Sequence, residues 1–200
     1  MERRQLTDRL EEEVDASTPL TEEEQQQLIP SYIALRHELN EAEQSNILEA
    51  AEWAFLRKRN VLSERLLDNL HKRMFGRVWH WAGDHRQSNK NIGIDAYRIP
   101  TELRHILEDC RYWIENTTYE HDEIAARFHH RLVWIHPYPN GNGRHARLAT
   151  DLLLAGLGCK AFSWGRLNLV DASKTRSEYI AALRAADKHD IEPLLEFVRT

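Results

Sequence analysis

The sequence contains little of what stabilises small secreted proteins or anchors membrane proteins. Only two cysteines, Cys110 and Cys159, occur in 200 residues, and they form no C-x-x-C motif. This excludes a disulfide framework, argues against a structural zinc site and is typical of a reducing cytoplasm. No run approaches the roughly 20 uncharged apolar residues that a membrane span needs. The first fifteen residues carry six acidic side chains, so we expect no signal peptide.

Glycine and proline are also scarce, and the chain has no excess of positive charge. The chain has 8 glycines and 6 prolines, and its 32 acidic residues outnumber its 27 lysines and arginines for a formal net charge of −5. Direct contact with nucleic acid is therefore not expected, and neither is a membrane partner. With 42% apolar and 30% charged residues, the composition is that of a cytoplasmic globular protein able to bury a core.

Helical periodicity dominates the chain, so we predict an all-α fold. The expected helices span 22–29, 31–59, 62–80, 101–115, 121–135, 143–156, 174–187 and the residues after 190. Thr21 and Glu24 form a capping-box pattern at the start of the first helix. Asn40 and Glu43 offer a second cap, which leaves open whether 31–59 is one helix or two. We expect a single globular unit, with an N-terminal helical extension at 1–59 and a core at 60–200.

The segment 87–98 does not follow the helical pattern. It mixes asparagine, glycine and aspartate with apolar residues, among them Ile92 and Ile94 on either side of Gly93. Turn-forming residues between short apolar stretches are typical of a tight hairpin. The sequence therefore predicts a small β-hairpin, which we call the flap.

The stretch 136–147, HPYPNGNGRHAR, contains the groups best suited to binding and catalysis. Gly141, Asn142 and Gly143 precede or open a helix, whose first N–H groups have no intrahelical acceptor and therefore attract anions. Arg144 and Arg147 are three positions apart and project from one side of its first turn. This arrangement predicts a phosphate-binding site.

His136 precedes that site and has a side chain able to accept a proton near neutral pH. A base, an amide cradle and two guanidinium groups within twelve residues indicate phosphoryl-type transfer, in which catalysis is mainly positioning and charge stabilisation. Two plainer interpretations stay open at this point. His136 could merely cap a helix, and Arg147 could pair with Asp151 one turn later.

The same stretch resembles the Fic family signature H-x-F-x-[D/E]-G-N-G-R-x-x-R. Tyr138 replaces the phenylalanine, and a Trp-His-Trp-Ala-Gly stretch ending at Gly83, with Arg86 after it, is similar to the region before the Fic flap. The resemblance covers about residues 60–195. The leader LIPSYIALRHELNEAEQSNILEAAEW also resembles the Fic branch called mobile mystery protein B. The signature matches at His136, Gly141, Asn142, Gly143, Arg144 and Arg147.

The resemblance implies a Fic-type helical bundle and a protein adenylyltransferase. His136 would deprotonate a serine, threonine or tyrosine hydroxyl of a protein target, or of the chain itself. Arg144 and Arg147 would hold the β- and γ-phosphates of ATP over an anion hole formed by residues 141–143, and AMP would pass to the target. The flap at Ile92, Gly93 and Ile94 would hold the target in extended form by strand addition.

Asn140 departs from the family pattern, which has an acidic magnesium ligand at this position. An amide oxygen binds Mg²⁺ without contributing charge, and Mg²⁺ prefers carboxylates together with substrate phosphates. The replacement could weaken metal binding, favour Mn²⁺, change the transferred group or abolish transfer. Two alternatives to an adenylyltransferase therefore stay open: a Fic enzyme that transfers another phosphate-containing group, and a nucleotide-binding regulatory module.

Many Fic proteins also carry an inhibitory motif, [S/T]-x-x-x-E-[G/N], whose glutamate pairs with the second signature arginine. Ser45 and Glu49 match it, with Ala50 departing at the last position. The expected inhibitory helix is about 41–58, with Glu49 opposite Arg147. In the alternative interpretation, Glu49 is a solvated residue that pairs with a nearby arginine or lysine.

The partners that follow are ATP, a hydroxyl-bearing protein target and Mg²⁺ or Mn²⁺. The mobile mystery branch adds a helix-turn-helix protein to the expected partners, although the net charge of −5 disfavours DNA binding by this chain itself. We expect a cytoplasmic location. A bacterial, toxin-like or self-modifying role stays open.

Overall fold

A computed structural model describes residues 21–33, 35–165 and 172–200. Within these ranges the chain is helical, with no β strand, as the all-α prediction expects. The described helices are α1 (Glu22–Gln25), α2 (Arg36–Phe55), α3 (Glu64–Phe75), α4 (Ile99–Glu115), α5 (His121–Ile135), α6 (Asn142–Gly156), α7 (Ala172–Ala186) and α8 (Glu192–Arg199).

The N-terminal extension begins with the capping box that the sequence predicts. The Thr21 hydroxyl accepts a hydrogen bond from the Glu24 amide, and the Glu24 carboxylate accepts one from the Thr21 amide. The Leu28 and Trp79 backbones then form one isolated antiparallel bridge, which joins the extension to the core. The long predicted helix is one element, α2, and the expected second cap at Asn40 is not used.

Two apolar clusters hold the helices together. In the larger one, α2 packs on α3 and α4 packs on α5, while α5 also packs against α6. The smaller cluster joins α7 and α8 to the other face of α5 and α6. Burial of these apolar faces is the main force that stabilises the arrangement. Of the described helices, none is long and apolar enough to cross a membrane.

The flap is not a hairpin, and this prediction is wrong. Residues 87–95 form bends and turns, and a 3-10 turn follows at Ala96–Arg98. The buried Arg86 side chain donates to the carbonyl groups of Ser88 and Ile94, which a hairpin would have used across its strands. The carboxamide oxygen of Asn89 accepts from the Ala96 amide and closes the segment as a loop.

Candidate active site

The signature loop, residues 136–141, connects the end of α5 to the start of α6. Both ends have left-handed backbone: His136 has φ 54° and Gly141 has φ 77°. A Cβ atom at Gly141 would lie 2.5 Å from a ring carbon of Phe75, so glycine is required there by conformation and by space. These two reversals allow a short loop to connect His136, at the end of α5, to the N-terminus of α6.

His136 is almost buried, with 5% of its surface exposed. Its carbonyl accepts a hydrogen bond of 2.7 Å from Nε of Arg86, which is itself 2% exposed. Burial lowers the pKa of the His136 imidazole to about 4, and the charge of Arg86 acts in the same direction. The ring is therefore neutral at physiological pH, which is the state in which an imidazole accepts a proton.

The side chain of Asn142 holds the loop in shape. Its carboxamide oxygen accepts from the Tyr138 amide at 2.9 Å, and its carboxamide nitrogen donates to the Tyr138 carbonyl at 2.8 Å. This side chain is thus engaged inside the protein, so only the backbone amide of Asn142 can face a ligand. The Tyr138 hydroxyl donates to Asp68 on α3, which gives the polar tip of this buried ring a partner.

His71 on α3 stabilises the signature loop through hydrogen bonds and ring stacking. Its Nδ1 accepts from the Gly83 amide at 3.0 Å, so the ring carries its proton on Nε2 and donates it to the Asn140 carbonyl, also at 3.0 Å. The ring stacks on Tyr138 with 3.7 Å between centroids. Full burial lowers the pKa of His71 well below its ordinary value, so this neutral form persists.

Arg144 is held by a carboxylate that the sequence analysis did not single out for this role. Its Nη1 lies 2.5 Å from Oε2 of Glu43, a buried residue of α2. The other oxygen of Glu43 accepts from the indole nitrogen of Trp79 at 2.8 Å. The Arg144 guanidinium also lies over the ring of Phe75. A phosphate binding at Arg144 would therefore compete with Glu43.

Arg147 has a different environment, made of aromatic rings. Its Cζ atom lies 4.6 Å from the ring centroid of Tyr179 and 5.6 Å from that of Trp164. The Asp151 carboxylate accepts from the Trp164 indole at 3.1 Å and from the Phe162 amide at 3.2 Å. Asp151 thus holds Trp164, one of the two rings against which Arg147 lies.

The predicted contact between Glu49 and Arg147 is not formed. Ser45 and Glu49 are both exposed on α2, and Glu49 makes an ion pair with Arg77 at 2.7 Å. This matches the plainer interpretation of Glu49 as a solvated residue paired with a nearby arginine. Glu43, six residues earlier on the same helix, contacts the signature residue Arg144.

The three flap residues have different environments. Ile92 is 40% exposed, whereas Ile94 is 8% exposed and belongs to the larger apolar cluster. Gly93 packs against the catalytic candidate, because a Cβ atom there would lie 2.6 Å from Cβ of His136. The Ile94 side chain therefore anchors the flap, and the Ile92 side chain is the more exposed of the two.

A cavity of about 770 Å³ borders the signature loop and the beginning of the flap. Trp81 and Asp68 line it on the core side, and Glu24 lines it on the side of the extension. The two signature arginines and the start of α6 do not line this cavity, so it does not contain the groups predicted to bind phosphate.

Asn140 is the candidate metal ligand. Its carboxamide oxygen accepts from the Gly141 amide at 2.6 Å, and a neutral amide oxygen is also a type of ligand that Mg²⁺ can take. Among the described residues, no group of three or more histidine, cysteine, aspartate or glutamate side chains could hold a metal ion. The donor set fits a cation only when phosphate and water oxygens supply most of the ligands.

Comparison with known proteins agrees with the fold and with the signature. Residues 61–154 match the model of the Fic/DOC family. A protein adenylyltransferase Fic from Drosophila virilis is 29% identical over 133 residues, which cover 64% of this chain and 26% of that protein. Another, from Drosophila melanogaster, gives the same identity and coverage. The chain therefore spans about a quarter of the length of these curated relatives.

Solved structures extend the likeness to most of the chain. Fic-1 from C. elegans has a TM-score of 0.66 and 24% identity, over 86% of this chain and 50% of that one. BepC from Bartonella tribocorum, solved with bound AMPPNP, has a TM-score of 0.68 and 16% identity, over 90% of this chain and 97% of that one. These structures show the fold. The resemblance to the Fic family seen in the sequence is confirmed, since residues 61–154 match the Fic/DOC family model.

Proposed function

We propose that the protein is an adenylyltransferase that moves AMP from ATP to a hydroxyl group of a protein, either a partner or the chain itself. The observation that supports this proposal is the signature loop, which connects the neutral His136 at the end of α5 to the N-terminus of α6, the helix that carries the two arginines. The names of the curated relatives support the same activity at the level of the family.

In the proposed reaction, one residue removes a proton and other groups stabilise the negative charge that develops. His136 takes the proton of the target hydroxyl, and the oxygen of that hydroxyl attacks the α-phosphorus of ATP. The bond from that phosphorus to the bridging oxygen breaks, and pyrophosphate leaves. Arg144, Arg147 and the amides at the start of α6 hold the negative charge that develops on the leaving group. Phosphate charge close to His136 would raise the pKa of the imidazole from about 4 and make it a stronger base.

Asn140 is the proposed protein ligand of a nucleotide-bound Mg²⁺ or Mn²⁺ ion. Such an ion would neutralise part of the phosphate charge. The Ile92 side chain, exposed on the flap, is the proposed contact for the target segment.

The proposed inhibitory residue is Glu43 rather than Glu49. The Glu43 carboxylate binds the Arg144 guanidinium, for which a phosphate would compete, whereas Glu49 pairs with Arg77, which is not a signature residue. The two glutamates belong to the same helix and have the same chemistry. They therefore form a matched pair for testing inhibition.

Labelling with α-³²P-ATP tests the proposal, in Mg²⁺ and separately in Mn²⁺. We expect Glu43→Gln to raise incorporation by about tenfold or more, because one charge-assisted hydrogen bond to Arg144 is worth roughly 1.5–3 kcal/mol. Glu49→Gln serves as the control and leaves incorporation unchanged. Adding His136→Ala to Glu43→Gln should remove the label while ATP binding persists. A label that survives His136→Ala would contradict the role of His136 as the base.

A second candidate is a regulatory module that binds nucleotide without transferring it. The engaged carboxamide of Asn140 favours this alternative, since it is neutral and already accepts from Gly141. In that case Glu43→Gln binds ATP but stays unlabelled, and adding Asn140→Asp restores labelling. If UTP or another phosphate-containing donor labels the protein and ATP does not, the transferred group is different.

A further inference from the structure

The two signature arginines are held in different ways. Arg144 contacts a carboxylate, whereas Arg147 lies against the rings of Tyr179 and Trp164. The Tyr179 side chain also forms a hydrogen bond with the Arg147 side chain. A guanidinium has five N–H donors, so one bond to Tyr179 can fix its orientation and leave other donors for a phosphate.

The Tyr179 ring is itself fixed by a buried partner. Its hydroxyl lies 2.8 Å from Nε2 of His129, a histidine of α5 with no exposed surface. Burial lowers the pKa of His129 to about 3, so this ring stays neutral and does not repel Arg147. Tyr179 also contacts Phe197 of α8, with 5.5 Å between ring centroids. Tyr179 thus links α7 both to the protein interior and to Arg147.

We infer that Tyr179 is a positioning residue that orients the Arg147 guanidinium toward the outer phosphates of a bound nucleotide. The inference rests on the proposed function, because it requires nucleotide phosphates at the start of α6. It extends the site beyond the signature, to a residue of α7 that lies 32 positions after Arg147 in the sequence. Tyr179 touches neither the nucleotide nor the target, and it acts through Arg147.

A double-mutant cycle on nucleotide affinity separates positioning from simple packing. ATP and AMP binding is measured by calorimetry for the full chain, Tyr179→Leu, Arg147→Ala and the double variant, each in the wild-type and the Glu43→Gln background. We expect Tyr179→Leu to weaken ATP binding about tenfold and leave AMP binding unchanged, since AMP lacks the outer phosphates. In the Arg147→Ala background, the same substitution should change ATP affinity by less than about twofold.

Two further variants test whether a loss of ATP affinity comes from the positioning of Arg147 or only from weaker packing. Tyr179→Phe keeps the ring and removes the hydroxyl that contacts both His129 and Arg147, so we expect it to weaken ATP binding about threefold in an Arg147-dependent manner. Phe197→Leu removes a different ring contact of Tyr179 and keeps the Tyr179 side chain that contacts Arg147, so it should leave ATP affinity unchanged.

Equal losses with and without Arg147, equal losses for ATP and AMP, or the same loss in Phe197→Leu would overturn the inference. Each of these results leaves the proposed function intact, because ATP still binds. Failure of ATP to bind in both backgrounds would instead contradict the proposed function, and the inference would fail with it.

Discussion

The signature glycines Gly141 and Gly143 lie two positions apart but have different surroundings. Gly141 has φ 77° and lies against the Phe75 ring, so its lack of a side chain serves the fold. Gly143 is the second residue of α6, and a Cβ atom there would meet no other atom within 4 Å. Open space at a helix N-terminus is what a closely approaching phosphate requires. The space that a side chain would fill at Gly143 is therefore open to a ligand.

Replacing each glycine by alanine should separate folding from binding. Gly141→Ala should lower the free energy of unfolding by about 2 kcal/mol or more, because of its left-handed backbone and the Phe75 clash. Gly143→Ala should raise it by about 0.5–1 kcal/mol, since alanine favours helix, yet weaken ATP binding at least tenfold. Urea unfolding and calorimetry check the two effects. Wild-type ATP affinity in Gly143→Ala would contradict the placement of the phosphate.

At the scale of the element, the flap is attached to the core and to the extension by different groups. The Arg86 amide donates to the Pro137 carbonyl at 2.9 Å, which joins the start of the flap to the signature loop. Lys90, in the middle of the flap, makes an ion pair with Glu24 of α1. The side chains of this pair are only 4% and 11% exposed. The N-terminal extension therefore restrains the segment that is proposed to receive the target.

Lys90→Met should release the flap from the extension without unfolding the protein. Removing one member of a mostly buried ion pair leaves the other charge without compensation, which favours local opening. We expect amide hydrogen exchange over residues 87–95 to accelerate about tenfold or more, with α5 and α6 unchanged. Lys58→Met, at an exposed lysine outside the flap, is the control. Unchanged exchange in the flap would show that other contacts restrain it.

Helix boundaries were predictable where the chain changes backbone conformation sharply. The predicted span of α5 is the same as the observed one, and α6 begins one residue before its predicted start, because proline and glycine residues separate them. The flap was not predictable, since its form depends on the Arg86 side chain, a buried group whose acceptors no local pattern indicates. The Glu43–Arg144 pair joins residues 101 positions apart, and in the sequence Glu43 resembles a capping residue.

At the scale of the whole molecule, four buried histidines are held neutral. Burial lowers the pKa of His129 to about 3 and that of His136 and His145 to about 4. The pKa of His71 is also well below its ordinary value. In the unfolded chain these rings protonate near pH 6.5, whereas in the folded protein they stay neutral to much lower pH. Between pH 6.5 and about 4, the unfolded state therefore binds more protons than the folded state.

Acid should therefore destabilise the protein well above the pKa of its carboxylates. Stability rises with pH wherever the unfolded state binds more protons, so each such histidine removes up to about 1.4 kcal/mol per pH unit as the pH falls through this window. Urea unfolding at pH 7, 6 and 5 measures the decline. His145→Gln should make it shallower, and the exposed His105→Gln should not. Equal slopes for both variants would show that other groups dominate.

The left-handed backbone at His136 has an evolutionary consequence. A β-carbon in this conformation costs roughly 1–2 kcal/mol, and glycine would avoid the cost while ending α5 in the same way. The imidazole is also buried in a place that disfavours its charge. Selection for thermal stability alone would therefore favour replacement of His136, the proposed base. A descendant without His136 would be more stable and would keep the N-terminus of α6, the proposed phosphate site.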